Sequence, residues 1–154
     1  MESLERVVAA QRVFAGLAPE HLALLAGCAR NHRFTAGQYL CREGLPANEF
    51  FIIRQGRAAL EIAPPARRAV VLETLGPGDV AGASWLIPPY RWNADIRAVE
   101  ITLALGIDAA CLRGKCETDH DFGYAMMKCF LPMLVQSLNA ARLQVLDVYA
   151  GPYY

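Results

Sequence analysis

The chain has 154 residues, and its 15 Lys plus Arg balance its 15 Asp plus Glu, so it carries no net charge. A chain of this length fits one domain and buries roughly 68–70% of its unfolded surface without needing staples. The charge balance gives no general pull towards nucleic acid or anionic membrane. The apolar fraction is high, 55%, yet no run approaches the roughly 18 uncharged apolar residues of a membrane span. The charged start MESLERVV reads as an amphipathic helix and not as a signal peptide, so a cytoplasmic location is expected.

In chain order, apolar residues at Leu4, Val7, Val8 and Val13 predict a short amphipathic helix over residues 4–13. After the break at Phe14-Ala15-Gly16-Leu17, Pro19 opens a second helix at a position where its missing N–H costs nothing. Leu22, Leu24, Leu25 and Cys28 form its expected buried side. Beyond Arg30, short apolar runs alternate with Gly and Pro turns. Strands are expected around Phe34 and over 39–41, 50–54, 58–62, 70–75, 94–98 and 101–107, interrupted over 82–92. Strands at this spacing read as a barrel or jelly roll. Asp108 is placed to cap a short helix to Glu117, and Thr118 or Asp119 to cap a long one to about Tyr149. On the long helix Tyr124, Met127, Leu131, Leu134, Leu138, Ala141, Val145 and Val148 alternate by three and four, an a/d seam. The seam can pair two chains or pack on the barrel, and pairing is the favoured reading. Pro132 should kink or divide the helix.

The expected fold class is thus α+β, an antiparallel β-roll or jelly roll with N-terminal helices and a long C-terminal helix. One unit spans 1–150, with helices over 1–30, the roll over 31–107, helices over 108–150 and a tail over 151–154. Five cysteines, Cys28, Cys41, Cys111, Cys116 and Cys129, are irregularly spaced and make no zinc pair. Reduced thiols and no metal are expected.

These pieces together resemble the cyclic-nucleotide-binding sensor domain of the catabolite-activator/Fnr type. The resemblance rests on Phe14-Ala15-Gly16-Leu17 with Leu22 and Leu25, and on Phe34-x-x-Gly37-Gln38-x-Leu40 followed by Glu43-Gly44. It rests also on Phe51-Ile52-Ile53-x-x-Gly56-x-Ala58 and on Leu75-Gly76-Pro77-Gly78-Asp79-Val80-x-Gly82, and it covers residues 12–150. It implies a regulatory module, with a cassette after Gly82 whose short helix offers backbone N–H groups to a cyclic phosphate. It also implies a Glu for the ribose and an Arg for the phosphate, with the base lying against the long helix.

The sequence departs from that pattern at the side chains. Ala83 stands where the Glu is expected and Trp92 where the Arg is expected, with Arg91 one residue early and Asp95 nearby. An aspartate facing a phosphate would repel it. The segment Ser84-Trp85-Leu86-Ile87-Pro88-Pro89-Tyr90-Arg91-Trp92 admits three readings. It is an apolar plug; or a recast pocket in which Trp85, Tyr90 or Trp92 stacks on a flatter ligand and Arg91 pairs an acid; or a surviving site built on Arg91 and the Gly82–Ser84 amides. The candidate ligand site is therefore Gly82, Ala83, Ser84, Trp85, Tyr90, Arg91, Trp92 and Asp95. Leu134, Leu138, Ala141, Arg142 and Val145 form the helix face turned to the pocket or to a second copy.

Two functions follow, a ligand-sensing regulatory module or a ligand-free dimeric interaction protein. No cofactor is expected beyond a cyclic nucleotide or another small effector. An enzyme is not expected, because His21, His32 and His120 do not gather on strands as a cupin metal site would require. The chain ends soon after the long helix, which leaves no room for a helix-turn-helix, so direct DNA binding is not expected.

Overall fold

The computed structural model describes residues 3–149; the expected tail, 151–154, lies outside the described residues. α1 (Leu4–Ala9) starts at Ser3, whose hydroxyl accepts from the Arg6 N–H, and it is shorter than expected. Gln11 adopts an extended backbone, and its side-chain amide donates to the Val7 carbonyl. Arg12–Phe14 then form a separate 3-10 turn that buries Phe14. The helix periodicity over 4–13 missed this because the break is made by a side-chain cap, not by Gly or Pro. α2 (Pro19–Gly27) carries Pro at its first turn and buries Leu25, while Leu22, Leu24 and Cys28 are half-buried.

Eight strands follow: β1 (Ala29–Phe34), β2 (Tyr39–Cys41), β3 (Glu49–Gln55), β4 (Ala58–Ile62), β5 (Val70–Leu75), β6 (Val80–Ala81), β7 (Asp95–Ala98) and β8 (Thr102–Asp108). They form two four-stranded antiparallel sheets, β1-β8-β3-β6 and β2-β7-β4-β5. The roll begins two residues before the expected boundary at 31, because Ala29 pairs with Ile107 at the far end of β8. Both faces of β3 are covered, as its unbroken apolar run requires. Phe50 packs on Trp85 and Phe130, and Phe51 on His32 and Phe34.

α3 (Ala109–Thr118) is capped by the Asp108 carboxylate, which accepts from the Cys111 N–H. α4 (His120–Tyr149) is capped by Asp119, which accepts from the Phe122 N–H. Pro132 does not divide α4, which runs as one helix on either side of it. Its inner stripe is Phe122, Met126 and Phe130, one residue every fourth position, and these pack into the core.

One polar cluster is built into the first sheet. Glu49 on β3 receives two hydrogen bonds from Arg30, at 3.0 and 3.3 Å, and its Oε2 lies 3.0 Å from His32 Nε2. The pair fits because Gly106 lies between the strands, and a Cβ there would strike both Glu49 Oε2 and the His32 ring. Burial by itself would raise the Glu49 carboxyl, but the bonds from Arg30 and His32 outweigh it and hold it below the usual glutamate value. A depressed folded value means stabilisation that is present above the unfolded value of about 4.3 and is lost as the pH falls through the folded value. Glu49→Gln should therefore be less stable than wild type near neutral pH. The gap between their urea midpoints should narrow as the pH falls below about 4.3 and through the depressed folded value; a gap that stays constant would count against the ion pair.

Candidate functional site

The site begins where β6 leaves β3. Val80 and Ala81 pair with Ile52 and Phe51, and Gly82 then turns with φ +83°. Only glycine suits this point twice over. The backbone lies in the left-handed region, and an added Cβ would overlap the six-membered ring of Trp92. Ala83 is buried and precedes a 3-10 turn of three residues, Ser84–Leu86. The expected short helix is thus a single turn.

Trp85 is fully buried. It stacks on Phe50 at 4.8 Å between ring centroids and meets Phe130 of α4 edge-on at 5.2 Å. Its rings are committed to the core, so it offers no free stacking face to a ligand. Its Nε1–H is the one buried side-chain polar atom without a hydrogen-bond partner among the described residues.

The Pro88–Pro89 peptide is cis, and Tyr90 follows with φ +58°. A left-handed tyrosine costs roughly 1–2 kcal/mol. It is held by bonds from Tyr90 N–H to the Ile87 carbonyl and from Ala47 N–H to the Tyr90 carbonyl, and by the Arg113 guanidinium 4.7 Å from its ring. Residues 90–92 then run beside 44–47: Trp92 N–H donates to the Leu45 carbonyl, and Gly44 N–H to the Trp92 carbonyl. This pairing turns the Arg91 guanidinium towards the same turn, where Nη1 donates to the Gly44 carbonyl at 2.7 Å. Asp95 also serves that turn, accepting from the Glu43 N–H at 2.7 Å with Arg42 3.6 Å away. The expected phosphate-repelling aspartate therefore has a structural partner in the β2–β3 turn.

Sequence reasoning missed Arg113. From α3 it donates to the carbonyls of Ala47 and Trp85 and to Asn48 Oδ1, at 2.8, 3.0 and 3.0 Å. One guanidinium so ties the 84–86 turn, the approach to β3 and α3 together. Its five donors in a fixed fork suit that task, but one Arg in a ten-residue helix carries no local signal of it.

The face Leu134, Leu138, Ala141, Arg142 and Val145 does not line the roll; all five are exposed. Leu138 is 50% and Val145 53% exposed, so the alternative that the seam packs on the barrel fails along this stretch. An open groove of about 790 Å³ lies elsewhere, between residues 12–18, Gly78–Val80 and the α4 face from Tyr124 to Gln136.

The model of the cyclic nucleotide-binding domain family matches residues 31–119. The chain belongs to that family. Among curated proteins, cGMP-dependent protein kinase isozyme 1 of Drosophila melanogaster is 34% identical over 98 residues, which cover 62% of this chain and 12% of the kinase. The chain thus spans a small part of that relative. Among solved structures, a Geobacter metallireducens protein named for cyclic-nucleotide binding is 25% identical with a TM-score of 0.79, covering 90% of this chain and 99% of that one. The catabolite activator protein of Thermus thermophilus shares the fold at 22% identity and a TM-score of 0.70, covering 90% of this chain and 62% of that one.

Within this cyclic nucleotide-binding domain, the segment 82–95 buries Ala83, Trp85, Trp92 and Ala94, while residues 87–89, Arg91 and Asn93 are exposed. Trp92 is 7% exposed and lies on Gly82, next to the amides that the family resemblance assigns to phosphate. No group of three or more His, Cys, Asp or Glu that could hold a metal is found among the described residues. No described helix is long and apolar enough to cross a membrane.

Proposed function

We propose that this chain is a regulatory, non-catalytic module of the cyclic-nucleotide-binding type that works as a homodimer through α4, and whose cassette holds cyclic AMP and cyclic GMP weakly or has changed its ligand. The observation that carries this reading is the Trp92 ring seated on Gly82, beside Ala83. A hydrogen bond to a charged group contributes about 1.5–3 kcal/mol. Lacking both the ribose carboxylate and the phosphate guanidinium costs about 3–6 kcal/mol, or about two to four powers of ten in affinity. The amides of a three-residue turn recover little, since even a helix terminus contributes only about 0.3–1 kcal/mol when exposed.

A second reading, a ligand-free dimeric interaction protein, is favoured by the aromatic filling around Trp85 and by the exposed seam of α4. A thermal-shift screen separates the two. Ligand at about 100 times its dissociation constant stabilises by roughly 2.7 kcal/mol, and each kcal/mol moves the midpoint of a chain this long by roughly 2–4 °C. Micromolar cyclic AMP and cyclic GMP should give no shift. A clear shift abolished by Arg91→Ala would sink the weak-binding reading and assign the clamp to Arg91. A shift with another aromatic or acidic metabolite favours the changed ligand; no shift with any ligand favours the interaction protein.

A further inference from the structure

Two cysteines far apart in sequence meet at the junction of the helices and the first sheet. Cys28 follows α2, and its carbonyl accepts from the Asp108 N–H, so it closes the β1–β8 ladder opposite the start of α3. Cys111 stands in the first turn of α3, and the two sulfurs are 3.5 Å apart, with the Cys28 S–H directed at Cys111. Both are free thiols; Cys111 is exposed and Cys28 half-buried. Both line one open groove together with Arg30, Glu49 and Asp108, so a small oxidant reaches them without unfolding. The other three thiols show no such juxtaposition among the described contacts. Cys41 is buried, and burial pushes its thiol up; burial also raises Cys116 and Cys129.

We propose that Cys28 and Cys111 form a reversible redox site that a peroxide converts to an intramolecular disulfide, stapling α3 to the α2–β1 junction. The sulfurs need only close from 3.5 Å to about 2.05 Å. The exposed Cys111 meets the oxidant first. Its sulfur, as thiolate, attacks one peroxide oxygen, the O–O bond breaks, and the departing hydroxide leaves as water after taking a proton. The resulting Cys111 sulfenic acid is attacked by the Cys28 sulfur; the S–S bond forms, the S–O bond breaks, and the hydroxyl leaves as water with the Cys28 proton. Two thiols are oxidised by two electrons, and one peroxide becomes two waters. Burial, and then the hydrogen bond to Cys111, push the Cys28 thiol up to about 11, so Cys28 is not the sulfur that meets the peroxide; its 3.5 Å distance from Cys111 makes it the resolving thiol. The staple acts on α3, the element whose Arg113 holds the 84–86 turn and which leads directly into α4. It stands independently of whether the cassette binds a nucleotide.

The test treats the fully reduced protein with hydrogen peroxide. Free thiols should fall from five to three, and non-reducing peptide mapping should recover a Cys28–Cys111 link. The melting midpoint should rise by roughly 4–16 °C and return with dithiothreitol. Cys111→Ser, at an exposed position, should abolish the link and the rise. Cys28→Ser should leave a Cys111 sulfenic acid that dimedone traps. Unchanged thiols, a disulfide between two copies, or Cys111 oxidised to sulfinic acid in the wild type with no link to Cys28 would overturn the proposal.

Discussion

Changing Leu134 and Leu138 together to aspartate should turn a dimer into monomers, read by light scattering. Tyr124, Met127, Leu131, Leu134, Leu138, Val145 and Val148 repeat at a/d spacing along α4, and in the single chain all seven are exposed. The helix spends a different stripe, Phe122, Met126 and Phe130, on its own core. The outer seam is thus left exposed, and it is the face that the proposed dimer would bury. Burying a leucine fully contributes roughly 1.5–3 kcal/mol. These two are already partly covered, at 36% and 50% exposed, so a symmetric pair gains roughly 2–6 kcal/mol from its four leucines. Four carboxylates in their place add a desolvation cost. Dimer affinity should fall by at least about two to four powers of ten. Gln136→Asp, on an exposed position off the seam, should leave the dimer intact. A wild-type chain that is monomeric at roughly tens of micromolar, a range that corresponds to about 6–7 kcal/mol of association, would remove the basis for this interface.

The second large effect is on stability. Trp85→Ala should cost about 3–5 kcal/mol, the usual range for a buried tryptophan, and lower the melting midpoint by roughly 6–20 °C. The ring joins three separate elements: the turn after β6, Phe50 on β3, and Phe130 on α4. Its removal opens a cavity where the long helix meets the roll. Trp85→Phe is the sharper test. It keeps a ring between Phe50 and Phe130 and deletes the orphaned Nε1–H, whose unmet bond costs about 1–3 kcal/mol. That gain offsets the lost ring volume, so the Phe variant should melt close to wild type. A fall for the Ala variant of less than about 2 °C would mean that the three elements do not depend on this ring.

The strand menu was legible in the sequence because Gly and Pro punctuate it, and seven of the eight strands sit where apolar runs between turns predicted them. β6 was not separately visible: two residues, Val80 and Ala81, are strand only because β3 is there to pair with. Both C-terminal helix starts were legible through Asp108 and Asp119, since capping is a local hydrogen bond between a side chain and an amide two or three residues on. The helix seam was legible as a period, but a period does not say which stripe faces inward. On α4 the a/d spacing marked only the outer seam; the inner stripe, Phe122, Met126 and Phe130, emerged only from its packing against the roll.

At the site, the sequence by itself showed Ala83 and Trp92 at the positions where the family resemblance implies a Glu and an Arg. Only the tertiary structure decided what the present groups do. Arg91 and Asp95 looked like a displaced clamp and a repelling charge, yet both are bonded to the turn between β2 and β3, some fifty residues earlier in the chain. Trp92 became a lid on Gly82, Arg113 became the tie between cassette and helix, and Cys28 met Cys111 across 83 residues. All but the Trp92–Gly82 contact join residues distant in sequence through side-chain contacts. Local propensity and spacing carry no information about such contacts until the sheets have brought the two segments together.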